Sequence, residues 1–182
     1  MAISSAPEKK KVNIGLFLLT AVLTTLVVGS FAMQTISNRP DYTVVKKKIT
    51  RAQLEEFKGK VKHMVSTYTV RHEGKLAIVH PPADSDIYLL GRNYTWGNYI
   101  LELEQDQPYR LHLTSQDMPH ALVVNELKLM NRIRLGQVTT VSFSPHKVGR
   151  FNMHCGDFCG IGHYDMVGAM IVTASSPAVV DR

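Results

Sequence analysis

The chain has 182 residues, room for one domain of about 100–150 residues plus an anchor or tail, and too few for a large self-contained enzyme. With 45% hydrophobic and 20% charged residues, it has the composition of a folded protein rather than a disordered one. The net charge of +6 would suit an anionic partner, but the basic residues are spread. Apart from two triplets, Lys9–Lys11 and Lys46–Lys48, they interleave with acids and form no basic–aromatic motif, which argues against nucleic acid as a partner.

Residues 1–11 read as a short N-terminal tail. Val12 to Met33 is a run of 22 residues without a charged side chain. As a helix it would reach roughly 33 Å, enough to cross a bilayer core of about 30 Å. Ser30 and Ala32 offer a small-x-small cleavage site, but the run exceeds the usual signal h-region of about 7–15 residues, so a retained transmembrane helix over 12–33 is expected. Lys9–Lys11 before the span place the N-terminus in the cytoplasm and the remainder outside, which in a bacterium means a single-pass inner-membrane protein with a periplasmic domain. Residues 34–66 read as a linker carrying a short amphipathic helix. Thr50-Arg51-Ala52-Gln53 forms a capping box, and Leu54, Phe57, Val61, Met64 and Val65 make an apolar stripe for a membrane surface or a partner subunit.

From residue 67 to 182 the texture is that of short strands. Val, Ile, Tyr and Thr cluster between Gly, Pro, Asp and Asn over 67–71, 76–79, 86–90, 98–103, 109–114, 120–124, 137–143, 149–154 and 167–173. Such spacing predicts a mainly β, antiparallel sandwich or barrel.

Chemistry concentrates in residues 155–166, CGDFCGIGHYDM, where two thiols, an imidazole and a thioether fall as C-x3-C-x3-H-x2-M. These soft ligands select copper over magnesium, calcium or manganese. A mononuclear blue-copper site uses one Cys, two His and a weak axial Met, and this segment has one thiol more. Two thiolates can bridge two copper ions, each taking one imidazole, and the upstream candidate for the second imidazole is His120. A Cys2His2 zinc site uses the same residues except Met166. A redox thiol pair would more usually be C-x-x-C near a βαβ pattern, which is absent.

The chain resembles subunit II of haem-copper terminal oxidases, the cytochrome c oxidase subunit that bears the dinuclear copper A centre. The pattern LTSxDxxH over Leu113–His120, 34 intervening residues, and then CxxxCGxxHxxM carry the resemblance across roughly residues 86–173. It implies a cupredoxin-like Greek-key β-sandwich behind one transmembrane helix, most like the short, single-helix B-type form. It further implies that Cys155 and Cys159 bridge two coppers, that His120 and His163 each cap one, and that Met166 and the backbone carbonyl of Asp157 are weak ligands. In the family a Glu often stands in the middle of the CxxxC loop and helps bind interfacial magnesium; here the residue is Asp157. Trp96, the sole Trp, lies where the family often has aromatics near its electron-input surface.

The function implied is electron relay from a cytochrome c or a cupredoxin to a haem-bearing catalytic subunit I that reduces oxygen to water. This chain would hold no catalytic centre of its own. A copper A subunit of a nitric oxide reductase in the same superfamily is the alternative, and a membrane-anchored copper-delivery protein is a more distant one. Outside residues 1–36 the chain carries 18 basic and 14 acidic residues, a net of +4, so an apolar contact or an acidic donor is expected rather than a strongly basic cytochrome. His63, His72, His80, His112, His146 and His154 are expected in surface or structural roles, His154 on the face opposite Cys155.

Overall fold

The computed structural model describes residues 14–37 and 42–175. Lys9–Lys11, on which the expected orientation of the span depends, lie outside the described residues, as does the rest of the 1–11 tail.

Two units divide at residue 39. The first contains helix α1 (Ile14–Ser37), apolar over Ile14–Gln34 and long enough to cross a membrane; every residue of it with a described side chain is exposed. Threonine and serine hydroxyls along it turn back onto their own helix, as Thr25 does on Ala21 O at 2.8 Å and Ser30 on Val27 O at 2.9 Å. A helix so built needs no polar neighbour in an apolar solvent.

The second unit contains β1 (Tyr42–Lys48), α2 (Arg51–Tyr68), β2 (Thr69–Glu73), β3 (Leu76–Val79), β4 (Asp86–Arg92), β5 (Thr95–Trp96), β6 (Tyr99–Glu104), β7 (Tyr109–Ser115), β8 (His120–Val124), β9 (Leu129–Ile133), β10 (Gln137–Phe143), β11 (Gly149–Cys155) and β12 (Val167–Thr173). One sheet runs β1-β10-β7-β4-β5 and the other β2-β3-β6-β12-β11-β8-β9. Inward residues of both sheets, Ile87, Leu89, Leu111 and Leu113 from one and Leu101, Leu103, Leu122 and Met153 from the other, are fully buried in a single core. This is a cupredoxin-like sandwich.

Three expectations are corrected. Residues 42–48, expected in the linker, form β1, paired along its whole length with β10 from Tyr42–Phe143 to Lys48–Gln137. Exposed almost throughout on a sheet edge, β1 has no hydrophobic alternation to announce it. The sandwich is mixed rather than antiparallel, with parallel pairs β4/β7, β3/β6 and β6/β12, because long crossovers bring these strands side by side. The stripe of α2 rests on its own domain: Phe57 and Met64 are buried, Phe57 meets the Tyr88 ring edge-on at 5.4 Å, and the Tyr88 amide donates to Met64 Sδ at 3.4 Å. The capping box that starts α2 is present on both sides, with Thr50 N–H to Gln53 Oε1 at 2.9 Å and Gln53 N–H to Thr50 Oγ1 at 3.3 Å.

Candidate metal centre

The core closes around polar donors at one end of the second sheet. β8 starts with His120, which is fully buried, and β11 ends with Cys155. These strands pair, Cys155 opposite Leu122, so the two donors arrive on a shared rigid ladder. The loop after Cys155 returns Cys159, then the short 3-10 turn His163–Asp165, then Met166 immediately before β12.

A ring nitrogen of His120, Cys155 Sγ and Cys159 Sγ all lie within 4.8 Å of one another, and all three residues are buried. His120 Nδ1 is 3.9 Å from Cys155 Sγ, and His163 Nδ1 is 3.6 Å from Cys159 Sγ. Met166 Sδ stands 3.9 Å from Cys159 Sγ, and Asp157 O stands 3.1 Å from Cys155 Sγ. Two thiols thus sit side by side, each with its own imidazole nitrogen and its own weak donor. Soft sulfur and imidazole donors with no carboxylate among them fit copper and do not fit a hard oxygen-loving cation.

The orientation of His120 is set by Asp117. His120 Nε2–H donates to Asp117 Oδ1 at 3.0 Å, which leaves Nδ1 with its lone pair toward the thiols. Asp117 also accepts from the Met118 amide at 2.7 Å, the Ser115 hydroxyl at 3.3 Å and, on its other oxygen, the Asn93 amide at 2.6 Å. Burial works against its charge, but the Asn93 amide, His120 and the Met118 amide outweigh it and hold the carboxyl below its usual range. Burial, then the neighbouring Cys155 thiol, pushes the Cys159 thiol up to about 11. It is therefore protonated at neutral pH without a cation, and binding a metal must release that proton.

Trp96 does not lie at the surface. It is 2% exposed and packs edge-on to His120 with ring centroids 6.1 Å apart, so it supports the ligand from beneath. Tyr94, two residues earlier, covers the ligand loop instead. A side chain at Gly160, which has a φ of +118°, would meet the Tyr94 hydroxyl at 2.7 Å, and one at Gly162 would meet its ring at 2.5 Å. Around this seam Phe158 is 77%, Ile161 99% and Tyr164 83% exposed. A cleft of about 790 Å3 opens beside them, lined in part by Met118, Pro119, Arg134 and Cys159.

Sequence reasoning missed Tyr94, Asp117 and Arg132, whose guanidinium holds the Asp157 carboxylate. Asp117 had a signal in its position three before His120; the other two had none at short range. Of the remaining histidines, His154 pairs in β11 beside Cys155 and is half-buried, while Cys155 is buried on the other face. His112 stacks on Tyr88 at 5.0 Å and bonds Thr140 Oγ1 at 2.9 Å, and His80 lies between Glu102 and Glu104 at 3.5 and 3.4 Å, so both have structural partners.

Fold and donors together define a cupredoxin-like domain with a two-thiol group of soft donors that could hold a metal. No family model matches the chain. It is 27% identical over 120 residues to cytochrome c oxidase subunit 2 of Thermus thermophilus, covering 63% of this chain and 88% of that protein. It is 33% identical over 79 residues to an alternative cytochrome c oxidase subunit 2 of Bradyrhizobium diazoefficiens, covering 43% of this chain and 28% of that one. Among solved structures, a chain of a haem-copper terminal oxidase dimer superposes with a TM-score of 0.51 at 19% identity, over 88% of this chain and all of the other, which supports the shared fold. In sequence the chain is thus similar to cytochrome c oxidase subunits II.

Proposed function

We propose that this chain is the electron-input subunit of a haem-copper terminal oxidase, an oxidoreductase complex in which it carries electrons without a catalytic centre of its own. The observation that carries the reading is the pairing of two adjacent buried thiols, each with a separate imidazole Nδ1, in a relative of oxidase subunits II. Cys155 and Cys159 would bridge two copper ions, His120 and His163 would each cap one, and Met166 Sδ and the Asp157 carbonyl would be their weak ligands. Bound there, the copper pair would supply a one-electron store whose two redox forms differ little in geometry.

The chain's own residues account for the rest. β8 and β11 hold His120 and Cys155 on paired strands, so little ligand movement accompanies a change of charge. Asp117 fixes the imidazole by its Nε2–H, and Trp96 closes the space behind it. Water is kept from the thiols by the core, while Phe158, Ile161 and Tyr164 present an apolar rim to an electron donor. A cytochrome c or cupredoxin would dock there through apolar contact, and the haem-bearing subunit I would receive the electron. Helix α1 would anchor the chain in the inner membrane, with Lys9–Lys11 holding the N-terminus in the cytoplasm and the copper domain in the periplasm. The named relatives are oxidase subunits, which favours oxygen over nitric oxide as the partner's substrate.

Purification of the full chain from its native membranes tests this reading. It should bring with it a haem-bearing polytopic subunit that consumes oxygen when a cytochrome c or cupredoxin is supplied, with turnover changing little as salt rises. A chain that purifies alone, or with a nitric oxide reductase, contradicts it.

A further inference from the structure

The loop after Cys155 must turn the Asp157 carbonyl and the Cys159 thiol toward one interior space without strand pairing of its own. Its first tie to the sheet is the Gly156 amide, which donates to Ala121 O on β8 at 2.8 Å. Across the β8–β9 ladder, Ala121 stands directly opposite Arg132. Arg132 points outward from edge strand β9, between buried Asn131 and Ile133, and its guanidinium forks onto the Asp157 carboxylate. Nη2 meets Oδ1 at 2.9 Å and Nε meets Oδ2 at 2.6 Å. One row across the sheet, Arg132 to Ala121 to Gly156, therefore ties the Gly156 amide to β8 and the Asp157 side chain to β9.

We propose that Arg132 is a positioning residue of the metal centre. Through its fork on Asp157 it keeps the 157 carbonyl beside the Cys155 thiol, and it occupies the carboxylate that a divalent cation would otherwise use. The proposal rests on the copper reading above. Both oxygens of Asp157 already accept from a guanidinium, a donor set that does not fit magnesium, which requires oxygen ligands in octahedral array. With the Arg132 side chain 56% exposed, the pair adds little to stability; what a fork-on-fork contact supplies is direction.

The test uses the full chain in detergent, as wild type, Arg132→Ala, Asp157→Asn, the double variant and Arg132→Lys. With copper loaded, each single change should shift the midpoint potential and the copper absorption bands in the same direction. In Arg132→Ala and Arg132→Lys copper content and unfolding midpoint should stay at wild-type values, and the double variant should shift no further than the larger single. Lys keeps the charge but not the fork, so Arg132→Lys should shift as Arg132→Ala does. Without copper, hydrogen exchange at the amides of residues 156–159 should quicken in the variants and stay unchanged in β10. Wild-type potentials and spectra in Arg132→Ala, additive shifts in the double variant, or full rescue by Lys would overturn the proposal. A wild type that takes up no copper would instead overturn the copper reading, while the exchange measurement still decides whether the fork holds the loop.

Discussion

Helix α1 and the ligand loop both expose large apolar side chains, but in different patterns. Along α1 exposure is uniform: Leu18, Leu19, Val27 and Val28 project at widely spaced angles around the helix and are all exposed. Around the ligand loop exposure is one-sided. Phe158, Ile161 and Tyr164 are outermost while Cys155, Cys159 and Met166 within the same twelve residues are buried. An apolar surface that goes all the way round a helix belongs in lipid, whereas an apolar rim over buried donors belongs against another protein that must come close to them.

The largest effect should come from the buried side of the loop. Cys159→Ser removes one of the two buried thiols, and copper analysis should show the proposed two-ion centre lost; full copper loading would remove Cys159 from the proposed ligand set. On α1, Leu23→Arg should cost about 2.5–3.5 kcal/mol of membrane insertion, read as a chain that fractionates partly out of the bilayer, whereas an unchanged fraction would mean the helix is not lipid-facing. On the exposed side of the loop, Ile161→Ser with Phe158→Ser should slow reduction by the donor several-fold in stopped flow with copper content intact. Equal slowing in copper uptake would make the rim part of the site rather than a docking surface.

The smallest effect lies away from both regions and serves as their control. Arg71 closes on both oxygens of Glu102, and this outweighs burial and holds the Glu102 carboxyl below its usual range, with His80 assisting. A depressed carboxyl contributes stability that is complete above its unfolded value of about 4.3 and is lost as pH falls through its lower folded value. Glu102→Gln should therefore lower the unfolding free energy near neutral pH, by about 1–3 kcal/mol, and shrink the loss below pH 4. An acid limb identical to wild type would show that the pair carries no pH dependence.

What could be read along the chain was what short-range rules govern. The capping box at Thr50–Gln53, the apolar span and the Cys-Cys-His-Met spacing each depend on residues within a few positions, and each is found in the structure. β3, β8, β10 and β12 also occupy their expected ranges, β8 buried throughout and β10 and β12 with buried residues recurring at every second position. β1 and β9 were not legible: β1 is an exposed edge strand, and β9 is a five-residue edge whose burial alternates through Asn131 and Arg132 rather than through apolar residues. Trp96 is buried rather than near a surface, two residues after a turn with positive φ at Asn93 and Tyr94 that no short-range rule places. The contact of Arg132 with Asp157 joins residues 25 apart through a third strand, beyond any local pattern.

The central claim is that two thiols of one chain bridge a copper pair. Copper quantitation with electron paramagnetic resonance on the full chain, purified in detergent and loaded with copper, tests it directly. The account predicts two coppers per chain sharing a single unpaired electron over both ions. One copper with the spectrum of a mononuclear blue site, or zinc in its place, would contradict it.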